Sequence, residues 1–253
     1  MRWGWGALVL LALGLLTLGC GYGVSSQKRG TPEDDFAAAK RELDEGHSFD
    51  AVIKLTEFIE RHPGSVLVDQ AIFLRGRAHQ AQKDWALAAT DFQRVVQDFP
   101  ESRFACDAEF ALGECYWHQS RKWQYEQDDT HRTIDQLRRY LTRCPDHGRR
   151  AAADSLIALA RDRLGEKGFR TAELYARMRQ REAALIYCDV VINDFADTRW
   201  VCEARRLKVE LLVVLRRQEA AKSEIQLVRE HCAHSPEIQE RVGRLEHELG
   251  GGS

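Results

Sequence analysis

Apolar positions recur along this chain at intervals of three and four, in five stretches that can be laid on one another. Residues 51–63 read AVIKLTEFIERHP, residues 88–100 AATDFQRVVQDFP, and residues 184–196 ALIYCDVVINDFA. Each opens on Ala and carries apolar residues four and seven places on. The first two close on Pro twelve places on, where the third has Ala196. Two looser copies are TIDQLRRYLTRCP (133–145), with Thr133 for the Ala, and AKSEIQLVREHCA (221–233). Spacing of three and four is one face of an α-helix, and Pro marks where such a helix stops. Upstream, AIFLRGRAH (71–79) and AEFALGECY (108–116) align without gaps and bring Gly76 onto Gly113. Small residues of this kind stand where two helices approach closely. The markers Ala51, Ala88, Thr133, Ala184 and Ala221 are 37, 45, 51 and 37 residues apart. Self-similarity at this period predicts an all-α helical-repeat solenoid of five helix-turn-helix units. The alternative, a helical bundle with accidental periodicity, has to explain five copies in phase.

The unit resembles the tetratricopeptide repeat, a helix-turn-helix of roughly 34 residues. The Ala-to-Pro spacing of twelve places carries the likeness, as does Gly76, twelve places before Ala88. It covers about residues 33–235. The third unit is longer than the second by eight places, through WHQSRKWQYEQDDTHR (117–132). That polar and aromatic stretch reads either as a projecting turn that touches a partner or as a longer hairpin loop.

Ahead of the repeats lies a different pattern. One positive charge, Arg2, precedes a 12-residue apolar run, Ala7 to Leu18. The run suits the apolar core of a secretory signal and is shorter than the roughly 20 residues of a spanning helix. It leads into Gly19, Cys20 and Gly21. This arrangement resembles the bacterial lipoprotein signal, in which the cysteine is acylated and becomes the first residue. Thr17 and Leu18 depart from the usual residues three and two places before it, while Gly19 fits. An ordinary signal peptide or an uncleaved anchor is the alternative. The expected organisation is a signal peptide at 1–19, a lipidated tether at 20–32 anchored through Cys20, repeats at 33–249 and a tail at 250–253. The likeness implies an outer-membrane lipoprotein on the periplasmic face, tethered by lipid alone. Gly21 in place of Asp leaves no likeness to the inner-membrane retention signal.

Composition narrows the chemistry. Of 253 residues, 234 remain after cleavage before Cys20, with 36 basic against 39 acidic once Arg2 is gone. Nothing in that balance suggests nucleic acid. Six cysteines remain in a chain expected to be exported, where some oxidise. Cys106 and Cys202 both sit two places before an aligned alanine at the start of a first helix. Cys144 and Cys232 both sit eleven places after a marker, at the end of a second helix. Those ends are neighbours in an antiparallel hairpin, so the phase predicts disulfides Cys106–Cys144 and Cys202–Cys232. The alternative keeps all six as core thiols, the reading preferred for Cys115 and Cys188. The stretch HCAH (His231, Cys232, His234) lacks a second ligand pair for a metal, and Cys115 with His118 reads as a half-buried patch on one helix. Glu33, Asp34 and Asp35 read as a helix N-terminus complementing its dipole. No phosphate loop or catalytic constellation stands out. The expectation is a binding scaffold, not an enzyme, with no cofactor and no metal.

The fourth unit, RDRLGEKGFRTAELYARMRQREAALIYCDVVINDFADT (161–198), resembles the BamD family of outer-membrane β-barrel assembly lipoproteins. Leu164, Lys167, Ala172, Glu173, Tyr175, Arg177, Ala183 and Ala184 carry the likeness without a gap. The long third unit, Asp128 and Asp129 near its turn, and the total of five repeats agree with it. Arg179 and Arg181 stand where the family usually has Gly and an aromatic, and Ile186-Tyr187 where it has a polar–Arg pair. The resemblance implies a scaffold that binds the central, BamA-like barrel subunit through its C-terminal repeats, alongside other assembly lipoproteins. It also implies that unfolded outer-membrane proteins are received by the N-terminal repeats. The residues expected to serve the first contact are Arg177, Arg179, Arg181, Arg199, Trp200, Arg205 and Arg206. Those expected to serve the second are Phe73, His79, Trp85, Tyr116 and Trp117. For each the alternative is a solvated helix face or a core position. The rival reading is an envelope or cell-division coordination protein of the YbgF kind, with similar repeats. Such proteins usually place a coiled coil before them, whereas here the first repeat starts near Glu33, a short way past Cys20. A helical-repeat enzyme of a muramidase-like kind would need an added catalytic domain, for which there is no room.

Overall fold

A computed structural model describes residues 30–250. The signal peptide, Cys20, most of the tether and residues 251–253 lie outside the described residues. Within them the regular structure is entirely helical. Five hairpins follow one another: α1 (Pro32–Asp44) with α2 (Ser48–Arg61), α3 (Val68–Ala81) with α4 (Trp85–Asp98), α5 (Ala105–Gln119) with α6 (Asp128–Arg143), α7 (Arg150–Arg177) with α8 (Arg181–Asp194), and α9 (Trp200–Val214) with α10 (Gln218–His231). A single further helix, α11 (Pro236–Gly250), packs on α9 and α10. Each helix packs on the next, and α7 also packs on α9. This is the nearest-neighbour arrangement of a solenoid.

The repeated apolar pattern is the core. The five markers Ala51, Ala88, Thr133, Ala184 and Ala221 are all 0% exposed. The residues four and seven places on, from Leu55 and Phe58 to Ile225 and Val228, are at most 2% exposed. At the helix crossings the partner side is small. A Cβ on Gly76 would meet the Phe92 ring at 2.8 Å, and one on Gly113 would meet Leu137 at 2.5 Å. Ala172 holds the same place in the fourth unit and is fully buried.

Local chemistry sets the ends. α1 opens with a capping box: the Asp34 amide donates to Thr31 Oγ1 at 3.2 Å and the Thr31 amide to Asp34 at 3.3 Å, with Pro32 in the first turn. Asp35 is not only a first-turn acid, because it also meets His62 at 3.0 Å and Arg61 at 3.3 Å at the end of α2. All five second helices close in the same register. The N–H of His62, Phe99, Cys144, Phe195 or Cys232 donates to the carbonyl four residues back, and each carbonyl then accepts from the amide three residues on. Pro63, Pro100 and Pro145 follow three of these ends, but α8 and α10 stop at the same place before Ala196 and Ala233. The shared turn therefore ends the helix, and proline reinforces it.

The extra length in the middle of the chain divides in two. One part, residues 120–127, forms the loop between α5 and α6. The rest lengthens α7 to 28 residues, where α5 and α9 have 15. The expected boundary at 249 also hid a change of element, since the hairpins end at His231. α11 then covers the apolar side of the last one with Ile238 and Val242, a terminal cap of the sort a solenoid needs.

The four cysteines assigned to staples stand in two bonded pairs. Cys106 and Cys144 join the start of α5 to the end of α6 at 2.08 Å, and Cys202 and Cys232 join α9 to the end of α10 at 2.15 Å. Cys115 and Cys188 are buried free thiols. Non-reducing peptide mapping is expected to return both linkages. Replacing Cys106 and Cys144 together by Ala is expected to cost about 3–4 kcal/mol, read from denaturant unfolding, because the bond closes a loop of 38 residues.

The turns inside four units need a left-handed residue. Gly46 supplies it in the first at φ +84°, and Lys83, Arg179 and Arg216 adopt φ of 63°, 61° and 57° in the second, fourth and fifth. A side chain there costs roughly 1 kcal/mol. Lys83→Gly is therefore expected to stabilise the chain by about 0.5–1 kcal/mol in thermal unfolding, the gain being reduced by the freer unfolded chain.

Candidate partner-binding site

Buried polar side chains hold helix to helix at one repeated position, three residues after the marker. In the second unit this is Asp91, 4% exposed. Arg75 grips it with two donors at 2.9 and 2.6 Å and reaches Thr56 of the first unit at 3.1 Å. In the third unit Gln136 donates at 2.9 Å to Glu109, which also pairs with Arg143. In the fifth, Glu224 pairs with Arg205 and with Lys208 at 3.1 Å. These groups are spent on architecture. Arg205 is thereby half-buried and committed, and Arg206 is held between Glu203 at 2.9 Å and Glu210 at 2.8 Å.

The other C-terminal candidates divide. Arg177 and Arg179 are exposed at the turn between α7 and α8, and Arg181 is half-buried at the start of α8. Beside them Leu174 (48% exposed), Met178 (55%) and Ile186 (63%) present apolar surface at the same end of the hairpin. The sequence pattern does not single these three out; their place off the buried stripe is the signal that marks them. Tyr175 of α7 stacks on Tyr187 of α8 at 5.2 Å. Arg199 lies over the Trp200 ring at 4.9 Å and pairs with Asp162 at 3.1 Å. Trp200 itself packs on Phe169 at 5.5 Å, its indole N–H buried without a partner. Arg177, Arg179 and Arg181 thus stand at or next to one turn, and Arg199 with Trp200 at the start of α9.

The N-terminal candidates do not share a face. Phe73 is half-buried: it stacks on Phe104 at 5.1 Å and touches the buried Phe92 at 5.6 Å, against the edge of the core. His79 is buried, its Nδ1 without a partner and its Nε2 3.9 Å from Asp91. Burial pulls its pKa below the ordinary histidine value, against the raising effect of Asp91. Tyr116 is buried with Arg132 over its ring at 4.0 Å. Trp85 and Trp117 are half-buried, and each has a cover: His118 stacks on Trp85 at 3.9 Å, and Arg163 lies over Trp117 at 3.9 Å.

The side chains with candidate chemistry are otherwise employed. The Cys115 thiol takes a contact from Gln80 at 3.6 Å, and burial pushes its pKa up to about 12. Cys188 is likewise pushed up to about 12 by burial, and a protonated thiol is a poor nucleophile. Cys232 is in a disulfide and so is not available to ligate with His231 and His234. Among the described residues Glu42, Glu45 and His47 gather three ligand atoms within 4.8 Å at the α1–α2 turn. Lys54 already occupies Glu42 there. No helix of the described residues is long and apolar enough to cross a membrane.

A family model described as outer membrane lipoprotein, YfiO, matches residues 30–227. A Treponema pallidum protein described only as uncharacterised is 31% identical over 84 residues, 32% of this chain and 16% of that protein, so the match spans about a sixth of its length. Among solved structures, a repeat protein of Bacteroides fragilis is 12% identical with a TM-score of 0.48, covering 86% of this chain and 98% of that one. A thermophilic repeat protein of Thermus thermophilus is 14% identical with a TM-score of 0.39, covering 85% and 98%.

One prediction belongs to the buried pairs. Asp91→Ala strands the Arg75 guanidinium in the interior and is expected to cost about 3 kcal/mol in urea unfolding. Replacing Arg75 with Met and Asp91 with Leu together should cost clearly less, since no unpaired charge then remains.

Proposed function

The chain belongs to the YfiO family of outer membrane lipoproteins, and from that membership we propose that it is a non-catalytic, lipid-anchored scaffold of the outer-membrane β-barrel assembly machine. The observation that carries this reading is the family match, which runs through the hairpins from α1 into α10. In this reading Cys20 bears the acyl anchor and holds the repeats at the periplasmic face. The central barrel subunit docks at the end of the fourth hairpin, where Arg177, Arg179, Leu174, Met178 and Ile186 are all exposed. Exposed cations and exposed apolar side chains at one end of a hairpin have the composition of a protein-docking surface. Arg181 lies at its edge, and Arg199 with Trp200 lies on a neighbouring face. Unfolded barrel proteins are received by the N-terminal hairpins, where Trp85 and Trp117 keep part of their rings accessible.

The test is gentle detergent extraction of outer membranes carrying a tagged copy, followed by mass spectrometry of what co-purifies. A stoichiometric outer-membrane barrel protein with periplasmic repeat domains is the expected partner. Arg177→Glu combined with Ile186→Asp is expected to lower its recovery at least about ten-fold while leaving the helical circular dichroism unchanged. Recovery of peptidoglycan-binding or Tol–Pal components with no barrel protein would overturn the proposal in favour of envelope coordination.

A further inference from the structure

The loop between α5 and α6 lies back across α7 and is held there. The buried Gln127 amide donates to the carbonyls of Lys122 at 3.0 Å and Tyr125 at 2.9 Å, and its oxygen accepts from Thr130 at 2.8 Å. From α7, Arg163 donates to Ser120 and Lys167 to the Tyr125 carbonyl at 3.0 Å. Between the loop and the first half of α7 runs an open groove of about 500 Å³. Its apolar surface comes from Trp117 and Trp123, both half-buried, and from Leu159, which is 54% exposed.

Its charges do not cancel. The two carboxylates on its wall are already engaged, Asp162 with Arg199 at 3.1 Å and Glu166 with Arg170 at 3.8 Å. Lys122 and Arg163 also line the groove, and among the described residues neither has a carboxylate within ion-pair distance. Burial pulls the Arg163 guanidinium below its ordinary pKa, with Glu166 offsetting only part. A half-buried cation on an aromatic wall, with a lysine free of carboxylate partners at the rim, is half of a charge-complementary site. The braced loop means that the walls need no reordering to receive a ligand.

We propose that this groove, which shares Trp117 with the surface assigned above to unfolded barrel proteins, is a further protein-docking site, which takes an extended segment of another protein carrying an acidic side chain next to an aromatic or aliphatic one. The acid meets Lys122 and the guanidinium edge of Arg163, and the apolar neighbour lies against Trp123 and Leu159. The site is separate from the exposed end of the fourth hairpin and stands or falls independently of what binds there.

The test uses the purified, unlipidated chain from residue 21 onward and two fluorescein-labelled octapeptides, Ser-Gly-Asp-Phe-Asp-Phe-Gly-Ser and the same peptide with Lys for both Asp. Fluorescence anisotropy is expected to rise saturably with the Asp peptide, and the Lys peptide should bind at least about ten-fold more weakly. Lys122→Glu and Leu159→Glu, both at exposed residues, should each weaken the Asp peptide about five-fold or more without changing the melting temperature. Arg177→Glu should leave its binding unchanged. Absence of saturable binding, equal binding of the two peptides, or indifference to Lys122→Glu and Leu159→Glu would overturn the proposal. A loss of binding with Arg177→Glu alone would place the contact at the other surface and overturn it equally.

Discussion

The close crossing of the two helices in each hairpin is the constraint on which the rest of the structure depends. At Gly76 and Gly113 there is no room for a methyl group against Phe92 and Leu137. The marker residues on the opposing helices are themselves small and fully buried. Two helices that meet this closely have almost no freedom of rotation, because interior side chains pack at crystal-like density. Everything else inherits that register. The ends of the hairpin fall side by side, which is why Cys106 reaches Cys144 and Cys202 reaches Cys232. The turns are forced into a left-handed residue, which the chain accepts at Lys83, Arg179 and Arg216 despite the cost of a side chain there.

Where the chain relaxes the constraint, it acquires surface. The third turn abandons the tight form, and α7 runs roughly four turns past the length of its counterparts. Such a helix cannot bury its whole length against one partner. Its first half leaves Leu159 in solvent, and its last turn and the residue after it leave Leu174 and Met178 there. The loop answers the first exposure by lying across the helix, bound through Arg163 and Lys167. The added length lies at the N-terminal side of α7, since its C-terminal end stops seven places before Ala184 just as α3 stops seven places before Ala88, so the surface around Leu159 comes from the insertion and the one around Leu174 belongs to the ordinary hairpin end.

Much of this was legible in the sequence because it rests on spacing. Markers at a recurring interval revealed the hairpins, and cysteines at matched phases revealed the staples. The resemblance in the fourth unit rested mainly on architecture: Leu164, Ala172 and Ala184 are buried, and Tyr175 stacks on Tyr187. What periodicity cannot separate is an aromatic that packs from one that waits for a ligand. His79 and Tyr116 have the composition of a binding surface and lie inside, and Phe73 is half-buried in a stack with Phe104. Arg205 and Arg206 look like a basic patch and are spent on Glu224, Glu203 and Glu210. Conversely, Leu174, Met178 and Ile186 read as ordinary helix residues, and only the packing shows that nothing among the described residues covers them. The length of α7 was visible as a wider spacing, but whether it formed loop or helix depended on contacts with α5, α6 and α9 that no local pattern encodes.

The buried polar pairs solve a problem that the apolar repeat creates. Five hairpins with the same small-residue crossing are nearly interchangeable, so one second helix could dock on the wrong first helix with little loss of apolar contact. The position three residues after the marker removes that ambiguity. Asp91 needs the cation of Arg75. Gln136 needs the acid of Glu109, and Glu224 needs Arg205 and Lys208 together. Exchanging the partners of the second and third units would bury Asp91 against Glu109, two carboxylates with no cation between them. That arrangement costs several kcal/mol per desolvated charge, more than the roughly 1–3 kcal/mol at stake in repacking one apolar side chain. The apolar pattern thus fixes how each hairpin closes, and in the second, third and fifth units the buried polar pairs favour the native partner helix.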